Sequence, residues 1–199
     1  SIYAEAFLNN LLTYITIPDS VYSIGGYAFS NNSLTSITLP GLTRLGEHAF
    51  EFNNLQSVIF TGSLATIEEY AFYNNEITTV VLPTDLTTIE IGAFMNNQLS
   101  TITIPVGVTI IDEFVFNKNN LTLVTFLGDV TKIEYKAFGN NDLVTIDLPD
   151  TLEYIADSAF MYNSLTTLEI PAKVKWIGEN AFSYNSFNIL RANFNFNAI

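Results

Sequence analysis

A phenylalanine that recurs about every 22 residues constrains this chain more than any other feature. The intervals between successive copies are 22, 21 and then 22 six times, and an asparagine stands three positions after every copy. A fixed period of this length predicts a stack of similar coils, each of which completes the burial of its neighbours. We use these phenylalanines as anchors: Phe7, Phe29, Phe50, Phe72, Phe94, Phe116, Phe138, Phe160 and Phe182.

The pattern within one repeat predicts its local structure. Residues 101–104, Thr-Ile-Thr-Ile, alternate polar and apolar side chains, which is typical of a half-buried strand. Pro105 ends this strand because proline cannot continue the ladder, and a Leu-x-x-Ile segment such as residues 86–89 predicts a second short extended piece. The acid-x-x-Ala-Phe segment before each anchor is too short for a lasting helix and predicts one helical or 3₁₀ turn.

The asparagine column requires a reason of its own. A buried amide costs free energy unless it is hydrogen-bonded. Stacked one per coil, these side chains are predicted to bond the backbone of the turn and of the neighbouring coils. We therefore expect a structural role for Asn32, Asn53, Asn75, Asn97, Asn119, Asn141 and Asn163.

Composition excludes several classes of partner. The formal net charge is −13, with 20 acidic against 7 basic residues, and such a surface repels nucleic acids and anionic lipids. No apolar run approaches the roughly 18 residues of a membrane helix, so membrane insertion is not predicted. The absence of cysteine removes disulfides and zinc–thiolate sites. We expect no cofactor.

The repeats resemble the BspA-type leucine-rich repeats. The likeness is carried by residues 143–149 (Leu-Val-Thr-Ile-Asp-Leu-Pro), by Leu152 and Ile155, and by the Ala-Phe pair at 159–160, and it recurs over essentially the whole chain. It supports a β-rich (α/β-type) right-handed solenoid, a leucine-rich-repeat stack of about nine 22-residue coils with short helical turns. We expect one domain over residues 1–199, in which 191–199 form an irregular C-terminal strand or cap.

The resemblance also implies a setting and a kind of partner. Proteins of this type are usually secreted or displayed on microbial cells, so it implies an extracellular or cell-surface location. The implied partner is a protein of a host, of the matrix or of a neighbouring cell. Many repeats of the family have 23 residues and carry Cys where this chain has Asn. The chain begins within a repeat, so further sequence upstream is expected, and we expect a monomer or a weak end-to-end dimer.

The outward side of the main strand is the first candidate site. Stacking places equivalent positions of adjacent coils about 4.8 Å apart, so each surface column becomes a ladder. In leucine-rich-repeat folds this sheet faces the concave side, where ligands commonly dock; threonine is also simply a good exposed strand residue. The candidate ligand-binding residues are Tyr14, Thr16, Thr38, Thr79, Val81, Thr101, Thr103, Thr125, Asp147 and Glu169.

An acidic column four residues before the anchor is the second candidate. Its members are weak candidates for calcium binding, because closely stacked carboxylates repel one another unless a cation screens them. We favour the alternative that each acid accepts free backbone amides at the start of the turn, and predict no metal site. The column contains Glu68, Glu90, Asp112 and Glu134.

Aromatic side chains outside the core columns form a third group. Such rings serve as protein-interface anchors, stack on sugars, or cover the edges of the core. They are Tyr14, Tyr22, Tyr27, Tyr70, Tyr73, Tyr135, Tyr154, Tyr162, Tyr184 and Trp176.

Signals of catalysis are lacking in the sequence. The single histidine, His48, is predicted to be a solvated surface residue, and no phosphate loop, nucleophile elbow or metal-ligand spacing appears. The leading hypothesis is a non-enzymatic protein–protein interaction or adhesion module that binds through the strand face. A structural spacer or display stalk is the alternative, and carbohydrate or ice-surface binding through Thr and Tyr ladders are lesser ones.

Overall fold

The computed structural model describes residues 1–192 as a parallel β-solenoid. We number each coil from one anchor to the residue before the next, from coil 1 (7–28) to coil 8 (160–181). The nine anchors therefore enclose eight complete coils. Among the described residues there is no helix, and hence none that could span a membrane.

Each coil contributes up to two short strands, as the sequence pattern predicts. The main strand follows the anchor by seven positions, and a shorter second strand precedes the next anchor. The main strands are β2 (Ser36–Leu39), β4 (Ser57–Phe60), β6 (Thr79–Val80), β8 (Thr101–Ile104), β10 (Leu123–Phe126), β13 (Thr167–Ile170) and β15 (Ile189–Ala192), and the second strands are β1 (Ser23–Ile24), β3 (Arg44–Leu45), β5 (Thr66–Ile67), β7 (Thr88–Ile89), β9 (Ile110–Ile111), β11 (Lys132–Ile133), β12 (Tyr154–Ile155) and β14 (Trp176–Ile177).

All strand pairs are parallel, and each joins a coil to the next. The main strands form the sheets β2-β4-β6, β10-β8 and β13-β15, and the second strands form β1-β3-β5-β7 and β14-β12-β11-β9. Both ladders are interrupted at the same step, between coil 4 and coil 5. Coil 7 has no main strand, which separates β10 from β13.

The core is a single column of stacked phenylalanine rings. Neighbouring anchor rings lie 5.2–5.9 Å apart between centroids, with interplanar angles of 1–16°. Phe72, Phe94 and Phe116 are fully buried in this column, and the Leu, Ile and Val columns pack around it. The predicted solenoid is thus confirmed.

The segment around each anchor differs from the expected helical turn. Two residues per coil have positive φ, one two positions before the anchor and one two positions after, such as Tyr70 (φ 52) and Asn74 (φ 54). Alternate N–H groups consequently point along the stack: the amide of Tyr70 donates to the carbonyl of Ile91 at 2.9 Å, and that of Phe72 to Ala93 at 2.9 Å. In a helix these N–H groups would instead donate to carbonyl groups of the same helix.

The expected irregular C-terminal segment falls largely outside the described residues. Over Ile189–Ala192 the chain forms the regular strand β15, which pairs with β13. Residues 193–199 lie outside the part of the chain that the structure describes.

Candidate functional site: the main-strand face

The face of the main strands collects the predicted ligand-binding residues on one side of the solenoid. All ten are exposed. Six lie within strands, Val81 directly follows β6, and the other three lie in coils 1 and 7, which have no main strand. Register aligns equivalent side chains from coil to coil, as for Thr101 beside Leu123 and Thr103 beside Thr125. The sheet thus presents these residues as ladders rather than as isolated groups.

The electrostatic character of this face is neutral to acidic. Two columns point outward on this face, at seven and nine positions after each anchor. From Tyr14 to Glu169 they contain no lysine or arginine. The charged members over that span are Asp147 and Glu169, in the two last complete coils. Arg191, in β15, lies next to Glu169 across the β13–β15 pair. A surface of this kind favours partners with cationic groups.

Two kinds of depression interrupt the face. One, of about 320 Å³, spans coils 4 to 6, and six of its eight lining residues are apolar, among them Val81, Val106 and Leu127. A second, of about 380 Å³, lies at coils 7 and 8 and is lined by Asp147, Asp150 and Glu169 together with apolar neighbours. A third, of about 400 Å³, shares Asp147 and Glu169 with it and is also lined by Arg191. Val106 and Leu127 were not among the sequence candidates. The sequence does indicate that residue 127 is unusual, because leucine stands there at a position that is proline in most repeats.

The asparagine column ties each coil to its neighbour. In Asn119, Oδ1 accepts the backbone N–H of Leu99 at 3.0 Å, while Nδ2 donates to the carbonyl of Phe94 at 2.9 Å and of Phe116 at 3.2 Å. The same pattern recurs for the asparagines from coil 2 onward. These amides are directed at the backbone and do not line the strand face.

The acidic column bonds backbone amides. Glu68 accepts the N–H of Glu47 at 3.1 Å, and Glu90 accepts that of Glu69 at 3.2 Å. Glu68 also accepts two hydrogen bonds from Arg44, at 2.7 and 3.0 Å. Within residues 1–192 no three acidic or histidine side chains lie close enough together to hold a metal ion.

Desolvation by burial changes the titration of two members of the acidic column. It raises the pKa of Glu90, and the neighbouring carboxylate of Glu68 raises it further. Burial likewise raises the pKa of Glu134, against an opposing effect of Lys132. Ionisation of these two carboxyl groups therefore costs more free energy in the folded chain than in water.

Among the aromatic side chains outside the core columns, which we call the aromatic fringe, two tyrosines enclose the single histidine in a stack that the sequence did not reveal. The expectation that His48 is a solvated residue is wrong, because its ring is stacked between Tyr27 (centroids 4.4 Å apart) and Tyr70 (5.1 Å apart). Its Nδ1 lies 2.6 Å from Oε2 of the buried Glu51. All three rings occupy the positive-φ position two before the anchor, which places them in one column away from the strand face.

Other fringe aromatics pair between adjacent coils. Tyr162 and Tyr184 stack at 4.4 Å, and Tyr154 and Trp176 at 6.5 Å. These pairs belong to different columns, so the described aromatics cover the edges of several coils and do not form one continuous surface.

The fold and its exposed sheet define a leucine-rich-repeat solenoid, a class that commonly serves as a protein-interaction scaffold and is typically non-enzymatic. Six copies of the BspA type leucine-rich repeat region match the chain, over residues 1–122 and 109–199. The chain therefore belongs to the BspA-type leucine-rich repeat family, as the sequence resemblance predicted. No curated protein matches it.

Three solved leucine-rich repeat structures are similar to this chain at low sequence identity. A leucine-rich repeat protein from Eubacterium ventriosum is similar with a TM-score of 0.59 and 20% identity, covering 92% of this chain and 68% of that one. A second, from Bacteroides ovatus, gives 0.47 and 20% identity, covering 92% of this chain and 63% of that one. A leucine rich cell surface protein from Faecalibacterium prausnitzii gives 0.41 and 19%, covering 96% and 76%.

Proposed function

We propose that this chain is a non-enzymatic protein–protein interaction module of a secreted or cell-surface protein, and that it binds through the main-strand face. The observation that carries the proposal is the exposure of all ten candidate residues on one side of the stack. Threonine hydroxyls, aliphatic groups and carboxylates in register offer a partner protein both hydrogen bonds and apolar contact. Membership of the BspA-type family supports a location outside the cell and a protein partner.

A triple substitution on this face tests the proposal. Thr103→Gln, Thr125→Gln and Asp147→Asn change exposed side chains and leave the buried columns intact. We expect the variant to lose at least about tenfold in binding to immobilised matrix proteins and to host cells, because loss of central contacts commonly costs more than 1 kcal/mol. Its melting temperature should stay unchanged.

The matched control makes the same chemical changes away from the strand face. Thr88→Gln and Thr109→Gln alter exposed positions at or next to the second strands, and Asp19→Asn removes the same charge. This control should bind as the unmodified chain does. Equal binding by both triple variants would contradict the proposal.

A structural spacer is the second candidate, and the stiffness of the stack favours it. The anchor rings are stacked without a break from Phe7 to Phe182, and eight coils at about 4.8 Å each give a rod of roughly 38 Å. For a spacer, inserting two consensus coils should preserve adhesion by the full protein, and the strand-face triple variant should adhere normally. An interaction module would lose adhesion with the triple variant.

A further inference from the structure

Both strand ladders are interrupted between coil 4 and coil 5. β6 does not pair with β8, and β7 does not pair with β9, so both ladders are interrupted at one step. The phenylalanine column continues past this step, with 5.3 Å between Phe72 and Phe94 and 5.9 Å between Phe94 and Phe116. The interruption therefore affects the two strand ladders, while the core column stays continuous.

The apolar depression lies over this interruption. It is formed by the chain after β6, by the end of β8 and its turn, and by Leu127 of the next coil. Val81, Val106 and Leu127 are 86%, 65% and 62% exposed, and Leu127 stands at the position that buried prolines, Pro83 and Pro105, occupy in the two preceding coils. Contiguous exposed aliphatic groups around a concavity are a feature of binding sites.

Acidic groups continue the same surface along the stack. Asp147 occupies the column of Val81 three coils further on, about 14 Å away at 4.8 Å per coil. Asp150 lies beside it in the second depression. Neither carboxylate has an ion-pair partner among residues 1–192. Measured from Val81, at the far edge of the apolar depression, this distance equals about four residues of extended peptide, at about 3.3 Å per residue.

We propose that the apolar depression receives an aliphatic side chain from an extended segment of a partner protein, and that Asp147 and Asp150 bind a lysine or arginine of the same segment about four positions away. This inference rests on the proposed function, and it adds the chemistry of the partner. A second copy of this chain does not fit, because two molecules of net charge −13 repel each other. Residues 193–199 do not fit either, since they contain no lysine or arginine.

Selection from a random dodecapeptide library on the immobilised 199-residue chain tests the inference. Bound peptides should be enriched in Leu, Ile or Val with Lys or Arg three to five positions away. Their affinity, measured by fluorescence anisotropy, should fall with added salt because charge pairs are screened. Peptides enriched in acids, or without an aliphatic–basic spacing, would overturn the inference.

Two variants with matched controls locate the binding. Leu127→Ser should weaken the selected peptides about tenfold, whereas Ile110→Ser, at a position 43% exposed in the second strand β9, should leave them unchanged. Asp147→Lys should weaken them at least tenfold and reduce the salt dependence, whereas Asp142→Lys in the same coil should have less than a twofold effect. Equal losses within either pair would overturn the inference.

The remaining outcomes separate this inference from the proposed function. Peptides that tolerate Leu127→Ser and Asp147→Lys but are lost with Thr38→Arg would leave the strand face as the binding surface and overturn the subsites. If no peptide or matrix protein responds to any change on the strand face, both proposals fail. A concentration-dependent dimer in sedimentation that Leu127→Ser abolishes would show a second copy as occupant and overturn the basic partner.

Discussion

From coil 2 onward, a single asparagine amide in each coil joins the backbones of adjacent coils. Asn119 is buried and bonds one amide and two carbonyls of the backbone. These backbone groups have no access to water in the core, so removing the amide leaves them desolvated and unpaired. An unpaired buried group costs about 1–3 kcal/mol.

The substitution Asn119→Ala should therefore destabilise the chain by about 2–4 kcal/mol. The neighbouring Asn120 provides the control, because it is exposed and an alanine there should change the free energy of unfolding by less than about 0.5 kcal/mol. Urea denaturation gives both values, and hydrogen exchange should show a loss of protection at the amide of Leu99. Similar losses for both variants would refute the structural importance of the column.

At the scale of the element, the strands follow from the sequence and the turns do not. Alternation in residues 101–104 and the proline after them predict β8 from local rules. The two positive-φ positions of each turn carry asparagine six times and glycine once, at Gly92, and the other eleven carry Tyr, Phe, Lys, His, Ser or Glu, residues that rarely adopt this conformation. Positive φ in such residues costs free energy. It is offset by hydrogen bonds to the next coil, which no rule based on one repeat can detect.

The acidic column at the start of these turns gives a prediction about pH. Because the pKa of Glu90 is raised in the folded chain, folding takes up protons between the ordinary pKa and the raised one, and stability falls as the pH rises through that window. Glu90→Gln keeps an oxygen to accept the amide of Glu69 and removes the charge. It should raise the melting temperature by about 1–2 °C at pH 7, corresponding to less than 1 kcal/mol.

The same variant should melt like the unmodified chain at pH 3.5, where both forms of the site are neutral. Asp142→Asn removes one negative charge from an exposed position, so it controls for the general effect of lowering the net charge. Thermal melts by circular dichroism at the two pH values measure the difference. A gain for Asp142→Asn as large as that for Glu90→Gln would attribute the effect to net charge instead.

For the whole molecule, the period predicted the stack and the columns, but not where the strand ladders are interrupted. The columns through Val81 and Asp147 follow from counting residues from the anchor. The depression beside Val81 is also lined by Val106 and Leu127. It lies where neither the main strands nor the second strands pair between coils 4 and 5. This interruption distinguishes one step of the stack from the others, so a consensus repeat, which is the same at every step, contains no information about it.

A stack in which each coil contacts only its neighbours should respond to damage according to position. Phe94 is fully buried between Phe72 and Phe116, whereas Phe7 at the end of the column is 39% exposed and stacks on one ring. Phe94→Ala should cost about 3–5 kcal/mol, as expected for a large buried ring, and it weakens the contacts to both sides.

Loss of the central ring should also divide the array, because stability in a repeat protein is the sum of coil and interface terms. We expect Phe94→Ala to broaden the urea transition or split it in two, as cooperativity between the halves declines. Phe7→Ala should cost less than about 2 kcal/mol and keep one transition, with extra hydrogen exchange confined to coils 1 and 2. Equal effects of the two substitutions would mean that the chain unfolds as one globular unit, and the nearest-neighbour account of its stability would then be wrong.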